Sequence, residues 1–190
     1  MKALFSSKFH DKPVLYLVED PTAVPDETRE CEGMTLLYRD GKRIGANFFG
    51  IETEEEGLIF TPSEALVSLI NDRLKAENEE TVSFPSSGYR NATVTSIREH
   101  PLDERKSIVG LDLGSSSLIT STRYSLAVGD SVVVLTDGGF RRDGTAFHSS
   151  VIRNIPQEAE ICSPFDLKIG EESKVPAAGN GLPGSDYFRR

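Results

Sequence analysis

The chain has 190 residues, enough for one domain or two small ones, and its 37% apolar and 27% charged residues suit a folded globular protein with a thin core. The net charge is -9, with nine Lys+Arg against seventeen Asp+Glu over residues 1–88 and nine against ten over 89–168. Nucleic-acid binding through bulk charge is therefore disfavoured, and any such contact falls to a local patch in the central segment.

Pro13-Val14-Leu15-Tyr16-Leu17-Val18 is an apolar run of strand length, and Pro21 and Pro25 interrupt the chain after it. Met34 to Tyr38 and Ile44 to Phe49 flank Asp40-Gly41, a hairpin signal because glycine accepts the positive φ of a tight turn. After the acidic bend Glu52 to Gly57 and a short strand at Leu58-Ile59-Phe60, a helix is predicted from Pro62 to about Asn78. Thr61 caps it, Glu64 completes a capping box, and Leu66, Leu69, Ile70 and Leu74 form its apolar stripe. These elements read as a small α+β N-terminal domain over residues 1–84.

The polar breaker Pro85-Ser86-Ser87-Gly88 marks the boundary. Beyond it come five strand-length runs without an intervening helix: Ala92–Ile97, Ser107–Leu113, Leu118–Thr122, Ser131–Leu135 and Ala146–Ile152. Five short strands imply a small barrel over residues 85–168, and an all-β OB-fold barrel is the commonest solution, although an SH3-like barrel fits the same pattern. Residues 169–190 have no apolar period and are expected to be a disordered tail. The tail string Gly179-x-Gly181-x-x-Gly184 lacks the strand and helix that a phosphate loop needs.

Chemistry-bearing residues are sparse. Cys31 and Cys162 belong to no C-x-x-C pair, and His10, His100 and His148 show no metal-ligand spacing, so neither metal nor cofactor is indicated. His100 with Asp103, or His148 beside Ser149 and Ser150, lacks an orienting acid and an oxyanion motif, so the chain is read as non-enzymatic. No apolar run reaches the roughly 18 residues of a membrane span and no export-type stretch opens the sequence. A cytoplasmic protein without membrane partners is expected.

Several strings carry a family resemblance. His100-Pro101-Leu102-Asp103-Glu104-Arg105-Lys106 is similar to the His-Pro-x-Ala-Asp-Lys-Leu string of the tRNA-binding domain. Glu160-Ile161-Cys162-Ser163-Pro164-Phe165-Asp166-Leu167 is similar to its Met-Ile-Cys-Ser-x-x-Glu-Leu string. That domain occurs at the end of methionyl-tRNA synthetase, near the start of the phenylalanyl-tRNA synthetase beta chain, and in stand-alone bacterial proteins. The first segment resembles the N-terminal domain of the two-domain Gram-positive type, whose Val-Gly-Tyr-Asn-Ile-Phe string is similar to Ile44-Gly45-Ala46-Asn47-Phe48-Phe49.

The resemblance implies a translation-linked, non-catalytic protein with tRNA as partner. It leaves room for an aminoacyl-tRNA synthetase as second partner and for a homodimer. An OB barrel binds nucleic acid by setting cations against phosphates and planar groups against unstacked bases. The candidates are Arg98, His100, Arg105 and Lys106 in the first loop, Arg123 and Tyr124 after the third strand, and Phe140, Arg141 and Arg142 in a later turn. Ser163 joins them through the second string. The alternative class is a protein-interaction or dimerisation module whose barrel has lost RNA binding, since Asp103-Glu104-Arg105-Lys106 departs from Ala-Asp-Lys-Leu.

Overall fold

The computed structural model describes residues 2–189. The protein is mostly β, with one helix among the described residues, and divides into two compact units. The first runs to Pro85 and includes Asp143–Thr145; the second comprises Ser86–Arg142 and Ala146 onward.

In the first unit β1 (Ala3–Phe9), β2 (Lys12–Val18), β3 (Glu27–Cys31), β4 (Met34–Arg39), β5 (Lys42–Phe49) and β6 (Gly57–Ile59) form one sheet in the order β3-β4-β5-β2-β1-β6. The β4–β5 hairpin turns at Asp40 and Gly41, with φ of 52° and 73°, as the Asp-Gly signal requires. Two strands have no distinct apolar pattern of their own. β1 mixes Ala3, Leu4 and Phe5 with Ser6, Ser7 and Lys8, and β3 is an exposed edge of mostly polar residues.

Helix α1 (Glu64–Ala76) starts later than expected. Ser63, not Thr61, is the cap: its hydroxyl accepts the Leu66 amide at 3.2 Å, and Pro62 stays outside the helix. The buried face is Ile70 and Leu74 with Leu66 and Val67 partly covered, whereas Leu69 is left exposed. These residues complete a core with Leu4, Leu15, Leu17, Met34, Leu36 and Phe48. Asn71 exchanges two hydrogen bonds with the Val82 backbone and fixes the chain that leaves the helix.

The second unit is a nearly closed five-stranded barrel. Its strands are β7 (Tyr89–Glu99), β8 (Ser107–Asp112), β9 (Ser117–Thr122), β10 (Ser131–Thr136) and β13 (Ala159–Ile161), in the order β13-β10-β7-β8-β9. A bulge between Val94 and Ser96 bends β7, so that its first half pairs with β10 and its second half with β8. The seam between β9 and β13 is bridged when the Glu158 amide donates to the Ile119 carbonyl (2.9 Å) and the Thr120 hydroxyl donates to the Ala159 carbonyl (2.6 Å). Val94, Val109, Leu111, Val132, Val134 and Ile161 fill the interior.

The fifth barrel strand is not Ala146–Ile152. That segment ends in β11 (Ser150–Ile152), which pairs only with β12 (Ile155–Gln157) in a separate hairpin, and Val151 and Ile152 are exposed. The true closing strand has three residues, with Glu160 at its centre, too short and too polar to register as a strand.

The segment 169–189, expected to be disordered, is instead tied to the barrel, with Ala177 to Gly179 bonded along β10 and Asn180 to Tyr187 along β7; Arg190, the last residue of that expected tail, lies outside the described residues. The Asp186 carboxylate accepts from both Ser87 N (2.8 Å) and Ser87 Oγ (2.7 Å), and the Tyr187 amide donates to the Tyr89 carbonyl. Buried Asn91 accepts from the Asn180 amide and donates to Ser185 Oγ. Gly184, at φ 82°, sits where a Cβ would overlap the Leu113 carbonyl, so one of the tail's glycines serves close backbone approach. Polar pairing and small size, rather than apolar burial, order this segment, which is why composition suggested disorder.

Candidate nucleic-acid interface

The loop after β7 begins with ladder continuity: the His100 amide donates to the Lys106 carbonyl at 3.3 Å. Two-residue alternation therefore places Arg98 on the side of His100. Between them the loop folds back on itself. The His100 Nδ1 accepts the Leu102 amide at 3.2 Å, and the Asp103 carboxylate accepts from Arg105 Nε (3.0 Å), Nη2 (3.3 Å) and the Arg105 backbone amide (3.1 Å). Those bonds, the side-chain ones foremost, hold the Asp103 carboxyl down at about 2, and the nearby Arg123 acts in the same direction.

This loop, β9 and the tip of the β11–β12 hairpin enclose a cleft of about 290 Å³, lined by His100, Leu102, Asp103, Lys106, Ser121, Ile152, Arg153 and Gln157. The hairpin turns through Arg153 and Asn154, both at positive φ (51° and 65°), as a two-residue type I′ turn demands. Asparagine suits such a position, whereas arginine there bears a steric cost of order 1 kcal/mol. Among the described residues Lys106 and Arg153 have no ion pair, and the one carboxylate lining the cleft is already engaged by Arg105. A cationic lining with its only anion neutralised attracts phosphate.

The structure brings together His100 and Lys106 at the cleft, with Arg105 and Arg123 beside it through Asp103. The other candidates lie in a different neighbourhood with internal duties. Phe140 is 2% exposed, and its carbonyl accepts the Tyr89 hydroxyl at 2.8 Å. Arg141 grips Glu160 through Nε and Nη2, both at 2.8 Å, and lies over the Phe147 ring. Arg142 donates to the Phe165 carbonyl and lies 4.2 Å from the centre of the Phe165 ring. Ser163 is 1% exposed and both its amide and hydroxyl donate to Asp166. Tyr124 is half-buried, with its hydroxyl donating to the Ser173 carbonyl; burial, then the Asp166 charge, push its phenol upward. Burial removes Phe140 and Ser163 from any direct ligand contact.

Arg153, Gln157 and Ser121 escaped the sequence reading. The missed signal was Arg153-Asn154 between Val151-Ile152 and Ile155, a two-residue turn between apolar pairs, obscured by treating Ala146–Ile152 as a barrel strand. Two other hollows, of about 320 and 360 Å³ in the first unit, are lined by Glu52 and Glu54 with further carboxylates and would repel phosphate. Among the described residues no group of three or more potential metal ligands exists, and no helix is long and apolar enough to cross a membrane. No protein-family model matches the chain, and no curated protein matches it.

Proposed function

We propose that this protein binds RNA, with tRNA as the class, and does so without catalysis through the cleft of its barrel unit. The observation that carries the reading is the convergence of His100, Lys106 and Arg153 from a loop and a separate hairpin on one hollow whose sole carboxylate is paired with Arg105. The strand order is consistent with an OB-type barrel. β7 pairs with both β8 and β10, and β13 spans from β10 toward β9. In that architecture the loops and outer strand faces take nucleic acid. tRNA supplies unstacked loop bases and a phosphate backbone for such a surface. The first unit, which we read as α+β, lines two hollows with carboxylates that would repel phosphate; docking to an aminoacyl-tRNA synthetase in the cytoplasm is the role that fits its acidic composition.

Titration of the full chain against total tRNA and duplex DNA at about 50 and 200 mM salt tests the reading, because the slope counts neutralised phosphates. A tRNA preference that weakens with salt, and falls several-fold in Lys106→Ala and Arg153→Asn, is expected. Absence of binding near 100 micromolar, at the weak end of roughly 10⁻⁴–10⁻⁶ M for non-specific contacts, overturns it. A second reading, a protein-interaction or dimerisation module, draws on Leu102 and Ile152, 57% and 59% exposed on the same cleft. Sedimentation of the native chain and the Leu102→Ser, Ile152→Ser variant separates the two: a shift from dimer to monomer in a protein that binds no tRNA favours the interaction module.

A further inference from the structure

Hydrogen bonds made elsewhere leave Gln157 and His100 with donors to offer the cleft. The Ser121 backbone N–H, which can only donate, lies 3.2 Å from Gln157 Oε1, and the Ser121 hydroxyl donates to the same oxygen at 2.9 Å. These bonds fix the carboxamide with its oxygen toward β9, so its amino group is the end left for the cleft. His100 behaves similarly. Its Nδ1 is occupied as an acceptor by the Leu102 amide, so the neutral ring carries its proton on Nε2 and presents a second donor. Lys106 and Arg153 add charged donors, and Asp103 is taken by Arg105. Leu102 and Ile152 add exposed apolar surface to the same lining.

From this arrangement we infer that the cleft holds one nucleotide unit, its phosphate on Lys106 and Arg153 and a carbonyl edge of its base on the Gln157 amino group. The inference rests on the RNA reading of the same cleft and adds the unit recognised and the residue that reads it. A volume of about 290 Å³ is at the small end for ligand sites and suits a single nucleotide rather than a stacked run. A fixed amino donor meets the O4 carbonyl of uracil productively, but meets the N4 amino group of cytosine donor to donor. Uracil is therefore favoured over cytosine. The apolar surface of Leu102 and Ile152 packs against the base, in place of an aromatic platform.

The test uses the full chain with three probes, uridine monophosphate, cytidine monophosphate and inorganic phosphate, followed by NMR shifts of the Gln157 side-chain amide and by calorimetry. Uridine monophosphate should move the Gln157 and Ser121 signals and bind about fivefold tighter than cytidine monophosphate, the worth of roughly one neutral hydrogen bond. Gln157→Glu keeps an oxygen for the Ser121 donors and turns the other end into an acceptor, so it should reverse that preference while an unchanged melting temperature reports an intact fold. Arg153→Asn preserves the turn and should weaken both nucleotides and inorganic phosphate alike. Equal affinity for the two nucleotides in the native chain, or for nucleotides and inorganic phosphate, overturns the inference. If tRNA still binds in that case, the RNA reading survives it. Conversely, uridine monophosphate seated at Gln157 in a protein without tRNA affinity upholds the inference and sinks the RNA reading.

Discussion

The arginines of the two units are employed differently. In the first unit all four are satisfied internally: Arg29 and Arg43 on Glu79, Arg39 on Asp26 and Asp40, and Arg73 on the carbonyls of Gly33 and Phe49. In the barrel unit Arg98, Arg123 and Arg153, together with Lys106, have no ion-pair partner among the described residues. The unit with the larger excess of acid thus consumes its guanidinium groups in holding itself together. The nearly neutral one leaves cations to spare around a cleft. Net charge by segment hinted at this division, but pairing decides which cations are available to a ligand.

The sharpest way to break the comparison is at Arg43. Its side chain is 7% exposed and meets Glu19, Glu79 (3.2 Å) and the Glu80 carbonyl (2.8 Å). Burial alone would raise the Glu19 carboxyl, yet hydrogen bonds from Arg43 and Lys2 hold it below its usual value. Removing the guanidinium takes the shared cation from two poorly hydrated carboxylates and leaves Glu19 with Lys2 and Glu79 with Arg29. Arg43→Ala should therefore destabilise the protein by about 3–5 kcal/mol in denaturant titration, as expected for one partner lost from a buried cluster. Nucleotide affinity measured well below the melting temperature should be unchanged. A loss under 1 kcal/mol would mean that the cluster is far better solvated than its geometry implies.

Legibility of the fold followed the strength of local pattern. The β4–β5 hairpin was readable because Asp40-Gly41 specifies its turn, and four barrel strands were readable because Val109, Leu111 and Val132 to Leu135 mark buried strands. The short strand β13, the exposed edge β3 and the tail were not, because none is defined by its own apolar residues. β13 is set by pairing with β10, and the tail by Asn91 and Asp186 reaching across long sequence separations. Half of the cleft was legible for the same reason. His100 and Lys106 share one loop, whereas Arg153 and Gln157 arrive through a hairpin whose placement no nearby residue announces. Phe140-Arg141-Arg142 imitates a binding string in sequence, but packing gives all three a structural occupation.

The second prediction sharpens the contrast inside the barrel unit. Arg141 is 37% exposed at its side chain and bridges Glu160 on β13 to the Ala146 carbonyl and the Phe147 ring. Arg141→Ala should cost about 1 kcal/mol of stability, an ordinary exposed pair with some stacking added. Because this cation is not among those lining the cleft, tRNA affinity at fixed salt should change less than twofold. A loss matching that of Lys106→Ala would move the proposed interface to the Arg141 neighbourhood.

The smallest effect expected is at Asp103, and it runs the other way. This carboxylate both neutralises Arg105 and contributes the one negative charge in the cleft. Asp103→Asn should release Arg105 and raise affinity for tRNA about two- to fivefold at low salt, a gain that disappears as salt screens it. The same pair sets a pH window. With its folded value pulled to about 2 from 3.8, chiefly by the Arg105 hydrogen bonds, Asp103 favours the native loop above pH 4, and that preference fades as pH falls from about 4 toward 2. The loop should hold its bound geometry throughout the neutral and mildly acid range, followed by the Arg105 backbone amide shift, which the Asp103 carboxylate holds at 3.1 Å. An Arg105 amide that titrates near pH 4 would place Arg105 in solvent, and Asp103→Asn would then gain only the removal of one charge.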